Sequence, residues 1–322
     1  MEYTFLDGIS KPASRLVYGT VSSVAEGREA EAFAALDLAW EAGFRVFDTA
    51  NAYGRAEETM GKWIESRGVR DALILLDKGF NPVEKGSPDI YSADTIRAQI
   101  EESLRRLRTD YLDLYILHRD DPRYPVDEIV DVLNEYKDKG IIGRFGGSNW
   151  TMERTIEANR YAQEHGKIGF SVCSPGFNIA VLQRDPWGGS VSLTGKQNQP
   201  FREWLAKTRM PVFSYSSLGR GYVSGKFDPD SEKKIEECLP YGPIAEYDCP
   251  ENRNLLRRLF AMANDKHCTV SQLALAWLLH QDMNIYPIVA PTGSHVRETI
   301  GAFEVQLSHE EISYLSCGNV LK

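Results

Sequence analysis

The chain is poor in the features that would place it in several large classes. Its 322 residues hold only five cysteines, Cys173, Cys238, Cys249, Cys268 and Cys317, widely spread and odd in number. There is no C-x-x-C pair, and the six histidines do not cluster. A disulfide framework is therefore not indicated, no metal site is expected, and reduced thiols in a cytoplasm are the plain reading. No apolar run approaches the ~20 residues a spanning helix needs; the greasiest stretch, Leu273 to Leu279, is far shorter. The opening Met1-Glu2-Tyr3 has neither the basic start nor the apolar core of a secretory signal. Positive charge is also in deficit. With 37 Lys+Arg against 46 Asp+Glu the formal charge is −9, so no net positive field draws nucleic acid or an anionic membrane. Nor does a G-x-G-x-x-G turn follow the first strand, which counts against a doubly wound dinucleotide fold.

What is present is an ordinary globular composition, 42% hydrophobic and 26% charged. The length suits one large α/β barrel or two ordinary domains. Short β-rich runs alternate with amphipathic helices along the whole chain. Strands are expected at Leu16 to Gly19, Val46 to Asp48, Leu73 to Lys78, Leu112 to His118, Ile142 to Gly147, Ile168 to Cys173, Val212 to Tyr215 and Ile285 to Val289. Helices fall between them; Asp94 to Leu107, for one, spaces Ile96, Ile100, Leu104 and Leu107 on one face. About eight β/α units is the count that closes a TIM barrel, so the expected fold is a (β/α)8 barrel formed as a single domain over residues 1–322. Two polar stretches, Arg184 to Pro200 and Phe227 to Pro250, follow late strands and read as long βα loops shaping a substrate pocket. A solvated connector is the plain alternative for either.

Titratable residues gather at the C-terminal ends of consecutive expected strands. Asp48 ends the second, Tyr53 lies in the loop after it, Lys78 ends the third and His118 ends the fourth. In a barrel those ends meet at one mouth. Each alone has a dull explanation: a turn cap, a rim aromatic, a solvated lysine, a satisfied core histidine. Four at successive strand ends are harder to dismiss.

These residues sit in longer motifs. Gly43 to Gly61 (GFRVFDTANAYGRAEETMG), Ser103 to His118 (SLRRLRTDYLDLYILH), Gly146 to Asn149 (GGSN) and Tyr215 to Gly225 (YSSLGRGYVSG) stand in order across nearly the whole chain. In them the sequence resembles the aldo-keto reductase superfamily. The resemblance implies a barrel that binds NADP(H), with NAD(H) as the alternative, and exchanges a hydride between that cofactor and an aldehyde or ketone, or the corresponding alcohol. It implies Tyr53 as proton donor, Lys78 beside it, Asp48 pairing with the lysine, and His118 orienting the carbonyl. Hydride arriving at carbon leaves negative charge on oxygen, which needs a donor. A phenol titrates near 10, and a neighbouring cation is expected to lower that value.

For the cofactor, the resemblance implies contacts from Gly19 and Thr20, Asp48, the carboxamide pair Ser148 and Asn149, and Tyr215 stacking on the nicotinamide. Ser216, Leu218 and Arg220 would follow the pyrophosphate, and Thr292, His295, Glu298 and Thr299 the adenosine end. Two positions depart from the family pattern. Ser174 stands where a Gln usually meets the carboxamide, and His295 where many members place an Arg near the 2′-phosphate. Tyr18, Trp150 and Trp187 are candidate pocket walls for a small carbonyl or alcohol substrate. Rival readings are a cofactor-binding regulatory subunit with little turnover, a lyase forming a Schiff base on Lys78, and the same fold working in the oxidative direction.

Overall fold

The computed structural model describes residues 1–21, 24, 28–80, 92–239 and 244–318. Parts of two expected features, the 240–243 portion of the Phe227 to Pro250 loop and the tail at 319–322, lie outside the described residues. A hairpin of β1 (Tyr3–Phe5) and β2 (Pro12–Ser14) opens the chain. The parallel strands are β3 (Val17–Gly19), β4 (Val46–Asp48), β5 (Ile74–Gly79), β6 (Leu112–Leu117), β7 (Ile142–Ser148), β8 (Val172–Ser174), β9 (Val212–Ser214) and β10 (Ile285–Val289). The helices are α1 (Glu29–Glu41), α2 (Ala56–Arg67), α3 (Ala93–Leu107), α4 (Val126–Asp138), α5 (Met152–Glu164), α6 (Gln199–Thr208), α7 (Ile235–Cys238), α8 (Ile244–Tyr247), α9 (Pro250–Asp265), α10 (Val270–Leu279), α11 (His295–Ile300) and α12 (His309–Cys317). The strand order β10-β3-β4-β5-β6-β7-β8-β9 is that of a closed parallel barrel, so the fold is a (β/α)8 TIM barrel. By contact density the chain divides into two compact units, 1–174 and 175–322. No helix among the described residues is long and apolar enough to cross a membrane.

In the first unit, period-2 alternation sorts the strand residues onto two faces. Gly19 registers with Asp48, and Tyr18 with Phe47. Tyr18 therefore shares the outward face, where its ring packs edge-on against Phe44 at 5.7 Å and tilted against Phe47 at 5.8 Å. Trp63 of α2 extends this aromatic cluster onto Phe47 and Trp40. Tyr18 is fully buried there, so the expectation that it lines a pocket is corrected. Trp150 packs on Phe170 at 4.6 Å and donates Nε1–H to the Arg119 carbonyl.

Two glycines of the motifs are required by close approach. A Cβ on Gly61 would lie 2.4 Å from the Arg106 carbonyl, so α2 reaches α3 at this distance only without a side chain. A Cβ on Gly146 would meet the Val172 carbonyl at 1.8 Å, which fixes the contact of β7 with β8. The hairpin, which the sequence pattern did not announce, is tied to β4 through Ser14, whose hydroxyl accepts from the Arg45 and Val46 amides at 2.9 and 3.1 Å.

In the second unit, Leu273 to Leu278 bury most of α10, and Phe177 packs on Trp277 at 5.5 Å. Both α10 and α12 begin with reciprocal capping boxes, Thr269 with Gln272 and Ser308 with Glu311. The two long loops are not featureless. Gly176 bridges to Ser192 within the first, and α7 and α8 punctuate the second.

Candidate active site

The strand ends of the first unit place Asp48, Lys78 and His118 beside one another. Lys78 Nζ donates to Asp48 Oδ1 and, at 2.9 Å, to the Thr49 carbonyl. Both charged groups are about 3% exposed. Tyr53 is reached through a short turn in which the Asn51 amide donates to the Lys78 carbonyl at 2.9 Å and the Tyr53 amide to Ala50 at 3.0 Å. That turn returns the phenol over the lysine: Lys78 Nζ lies 4.9 Å from the Tyr53 ring centre. His118 closes the group, its ring edge-on to Tyr53 at 5.7 Å and its amide donating to the Gly79 carbonyl at 2.6 Å.

Burial and charge oppose one another here, and the winner differs from group to group. Burial alone would strip the proton from Lys78, but Asp48, helped by Tyr53, outweighs it and holds the ammonium above its usual range. Asp48 is pushed upward by burial, with Lys78 opposing. Within this pair the proton stays on the lysine. Tyr53 moves against the expectation drawn from the sequence. Lys78 does pull its pKa down, but burial is the larger effect and Asp48 adds to it, so the phenol is raised and stays protonated. His118 is driven well below its ordinary value, by burial first and then by Lys78 and Arg119. It is a neutral imidazole, and its buried Nδ1 has no partner among the described residues.

Beside this group lie the candidate carboxamide ligands. Ser148 and Ser174 are register partners on β7 and β8, and the Ser148 hydroxyl donates to the Ser174 carbonyl at 2.7 Å. Asn149, in left-handed backbone at φ 60°, donates Nδ2 to the His118 carbonyl at 3.0 Å and to Ser148 Oγ at 3.1 Å. The Ser148 hydroxyl hydrogen and the Asn149 amide group are thus held in one network linking β7, β8 and His118. Thr20 ends β3 with its amide on the Asp48 carbonyl at 3.0 Å, and its buried Oγ1 lacks a partner among the described residues. Gly19, buried, precedes it.

The remaining candidates belong to the second unit. Tyr215 follows β9, its amide bonded to the Pro175 carbonyl at 3.1 Å and its ring edge-on to Trp187 at 5.9 Å. Trp187 is 48% exposed on a turn held by Asp185, which accepts from the Trp187 and Ser190 amides. Ser216 and Arg220 both have positive φ, 53° and 54°, flanking Leu218 in a tight turn. The Arg220 guanidinium stands 5.4 Å from the Trp187 ring centre and 3.9 Å from Glu246. At the last loop Thr292 and His295 are exposed. His295 Nδ1 meets Glu298 at 2.8 Å, and this contact holds the Glu298 carboxyl below its usual range. Thr299 is buried with its hydroxyl on the His295 carbonyl at 2.7 Å.

Sequence reasoning passed over two contributors. The Thr49 carbonyl is a main-chain acceptor for Lys78 and carries no side-chain signal. Arg119, whose charge acts on Tyr53 and His118, has no signal in the sequence beyond following His118 directly. Among the described residues no group of His, Cys, Asp and Glu is arranged to hold a metal.

Known proteins resemble the chain over nearly its whole length. The model of the Aldo/keto reductase family matches residues 15–317. A putative aryl-alcohol dehydrogenase of Schizosaccharomyces pombe is 28% identical, with 89% of this chain and 84% of that protein covered. An uncharacterized oxidoreductase of Bacillus subtilis is also 28% identical, with 98% and 95% covered. Norsolorinic acid reductase of Emericella nidulans is 28% identical, with 87% and 70% covered. A thermostable aldo-keto reductase solved with the inhibitor epalrestat superposes with a TM-score of 0.75 at 25% identity, covering 98% of this chain and 99% of its own. The chain belongs to the aldo/keto reductase family and is an oxidoreductase of carbonyl and alcohol groups.

Proposed function

We propose that the chain, with residues 1–322 acting as one catalytic domain, exchanges a hydride between NADP(H) and an aldehyde or ketone, or the corresponding alcohol, with Tyr53 as general acid/base. NAD(H) is the alternative cofactor. The observation that carries this reading is the buried Lys78–Asp48 pair under the ring of a protonated Tyr53, with neutral His118 at its edge. When bound, the nicotinamide supplies the hydride. Tyr53 donates its O–H to the carbonyl oxygen as negative charge develops there. Lys78 then faces a phenolate and stabilises it, while Asp48 keeps the lysine charged for that moment. His118, neutral, offers a ring N–H to the same oxygen and orients it without adding a charge.

Ser148 and Asn149 would accept from the carboxamide NH2, and Ser174 lies beside them in place of the family glutamine. Gly19 and Thr20 would line the same end. On the second unit, Tyr215 would stack on the nicotinamide, Ser216, Leu218 and Arg220 would meet the pyrophosphate, and Thr292, His295, Glu298 and Thr299 would serve the adenosine end. Thr299 would offer that end an acceptor only, because its hydroxyl hydrogen is held on the His295 carbonyl. The names of the relatives make aromatic aldehydes and their alcohols the first substrates to test. The Schiff-base alternative is disfavoured by the same pair: an attacking lysine must be neutral, and Asp48 holds Lys78 charged.

The test is a tryptophan-fluorescence titration with NADPH and NADH in parallel, followed by turnover of an aryl aldehyde by the wild type and Tyr53→Phe. Saturable binding with turnover lost in the variant is the expected result. Absence of binding by either dinucleotide, reduced or oxidised, would remove the hydride-transfer reading.

A further inference from the structure

The imidazole of His118 must hold one direction to serve a carbonyl oxygen, yet its buried Nδ1 has no hydrogen-bond partner among the described residues. Its orientation therefore comes from packing against Tyr53 and from the main chain that carries it. On the strand side that chain is fixed, because the His118 amide donates to the Gly79 carbonyl at 2.6 Å. After His118 it leaves the ladder of β6, and until α4 begins at Val126 it must be held by other means.

Those means come from one short segment between the end of β7 and the first turn of α5. Its side chains meet three consecutive residues. Asn149 Nδ2 donates to the His118 carbonyl at 3.0 Å, Trp150 Nε1 to the Arg119 carbonyl at 3.2 Å, and Arg154 Nε to the Asp120 carboxylate at 3.3 Å. Arg154 also donates through Nη2 to the Tyr124 carbonyl, so its fork spans both ends of the turn 120–124. The Tyr124 amide, on the Asp121 carbonyl at 2.9 Å, draws that turn tight. Arg154 is itself anchored: its amide donates to Thr151 Oγ1, the cap of α5, at 3.2 Å, and its guanidinium stands 5.3 Å from the Trp150 ring centre. The side chains of Arg154 and Asp120 are 10% and 8% exposed, so solvent screens this pair far less than a surface one. A planar guanidinium fixes direction as well as distance.

We propose that Arg154 is a positioning residue for His118: through Asp120 and Tyr124 it fixes the turn after β6 and, with Asn149 and Trp150, makes the His118 segment one rigid piece with the end of β7. Its consequence for turnover rests on the reductase reading above; its hold on the His118 ring does not. Because Asn149 is also the proposed carboxamide ligand, the same clamp sets the carbonyl-orienting ring relative to the nicotinamide.

The experiment is a double-mutant cycle with His118. Arg154→Met should lower kcat for the carbonyl by about 10- to 100-fold, the scale of a displacement of about 1 Å at a reacting group, with NADPH affinity unchanged. In a His118→Gln background the same substitution should cost nothing further, since the ring it positions is gone. Asp120→Asn/Arg154→Met leaves no buried charge unpaired, which guards against misfolding, and should behave alike. The same fractional loss of kcat with and without His118, as a merely structural role requires, would overturn the proposal. A second readout needs no substrate. In protein labelled with 15N-histidine, the ring signals of His118, assigned by their loss in His118→Gln, should move in both Arg154 variants while those of the other five histidines stay. Unmoved His118 signals would equally overturn it. If the wild type turns over no carbonyl, the reductase reading falls, and the ring signals alone decide the positioning role.

Discussion

Replacing Asp48 by Asn tests the centre of the site with the least change of shape. Lys78 would keep the Thr49 carbonyl and lose its counter-charge in a position about 3% exposed. Breaking a buried pair from one side costs about 3–5 kcal/mol. The lysine can instead fold neutral, and deprotonating it at pH 7 costs about 1.4 kcal/mol for each unit below 10.4, or roughly 4.6 kcal/mol. Both routes give a similar deficit at pH 7, equivalent to about 5 °C in Tm for a chain this long. Their pH dependence separates this pair from ordinary packing loss. In the wild type the folded pKa of Lys78 is raised, so its contribution is present below the unfolded value and lost only as pH climbs through the folded one. In Asp48→Asn burial loses its main opponent, so the folded pKa is expected to fall below the unfolded one, and the variant gains stability as pH rises toward 10. The deficit should therefore shrink between pH 7 and pH 10 by about 1.4 kcal/mol per unit once the lysine folds neutral. Urea unfolding of both proteins at pH 7, 8.5 and 10 measures it. A deficit that stays constant with pH, or is under 1 kcal/mol at pH 7 (roughly the worth of an exposed pair), would refute the reasoning.

Three further outcomes are expected. Tyr53→Phe should lower kcat by about 10²–10⁴ with unchanged NADPH binding, since it removes only the transferred proton; steady-state kinetics beside a fluorescence titration check both halves. Because Tyr53 is raised by burial, alcohol oxidation, which needs the phenolate, should climb toward tenfold per pH unit between pH 7 and pH 10, while carbonyl reduction shows no such rise. Asp113→Ala should destabilise by about 3 kcal/mol, because Asp113 accepts from Lys11, from Arg70 at 2.9 Å and from the Leu75 amide at 2.9 Å; thermal unfolding reads the loss.

The fold was legible because β/α alternation survives even in strands of three residues, and the strand-end rule then picked out Asp48, Lys78 and His118 before any coordinate. Boundaries failed where side chains replace the ladder. Ile168 to Cys173 reads as a strand, yet β8 is only Val172–Ser174. The segment before it hangs on two asparagines: Asn134 bonds both the amide and the carbonyl of Ile168, and Asn159 does the same for Phe170. Tyr18 was misplaced because proximity to a strand end was weighed without parity. The register of Gly19 with Asp48 sends the neighbouring tyrosine to the opposite face. Asp77 is the mirror image of that error. Strand-end logic looks only at the inward face, so a buried carboxyl one residue from Lys78, facing the helices, raises no signal in the sequence. Period 2 makes the two faces chemically independent, but they share a backbone. The pleat that turns Lys78 into the site turns Asp77 into the helix layer, so only the parity of the strand separates a candidate site residue from a buried carboxyl next to it.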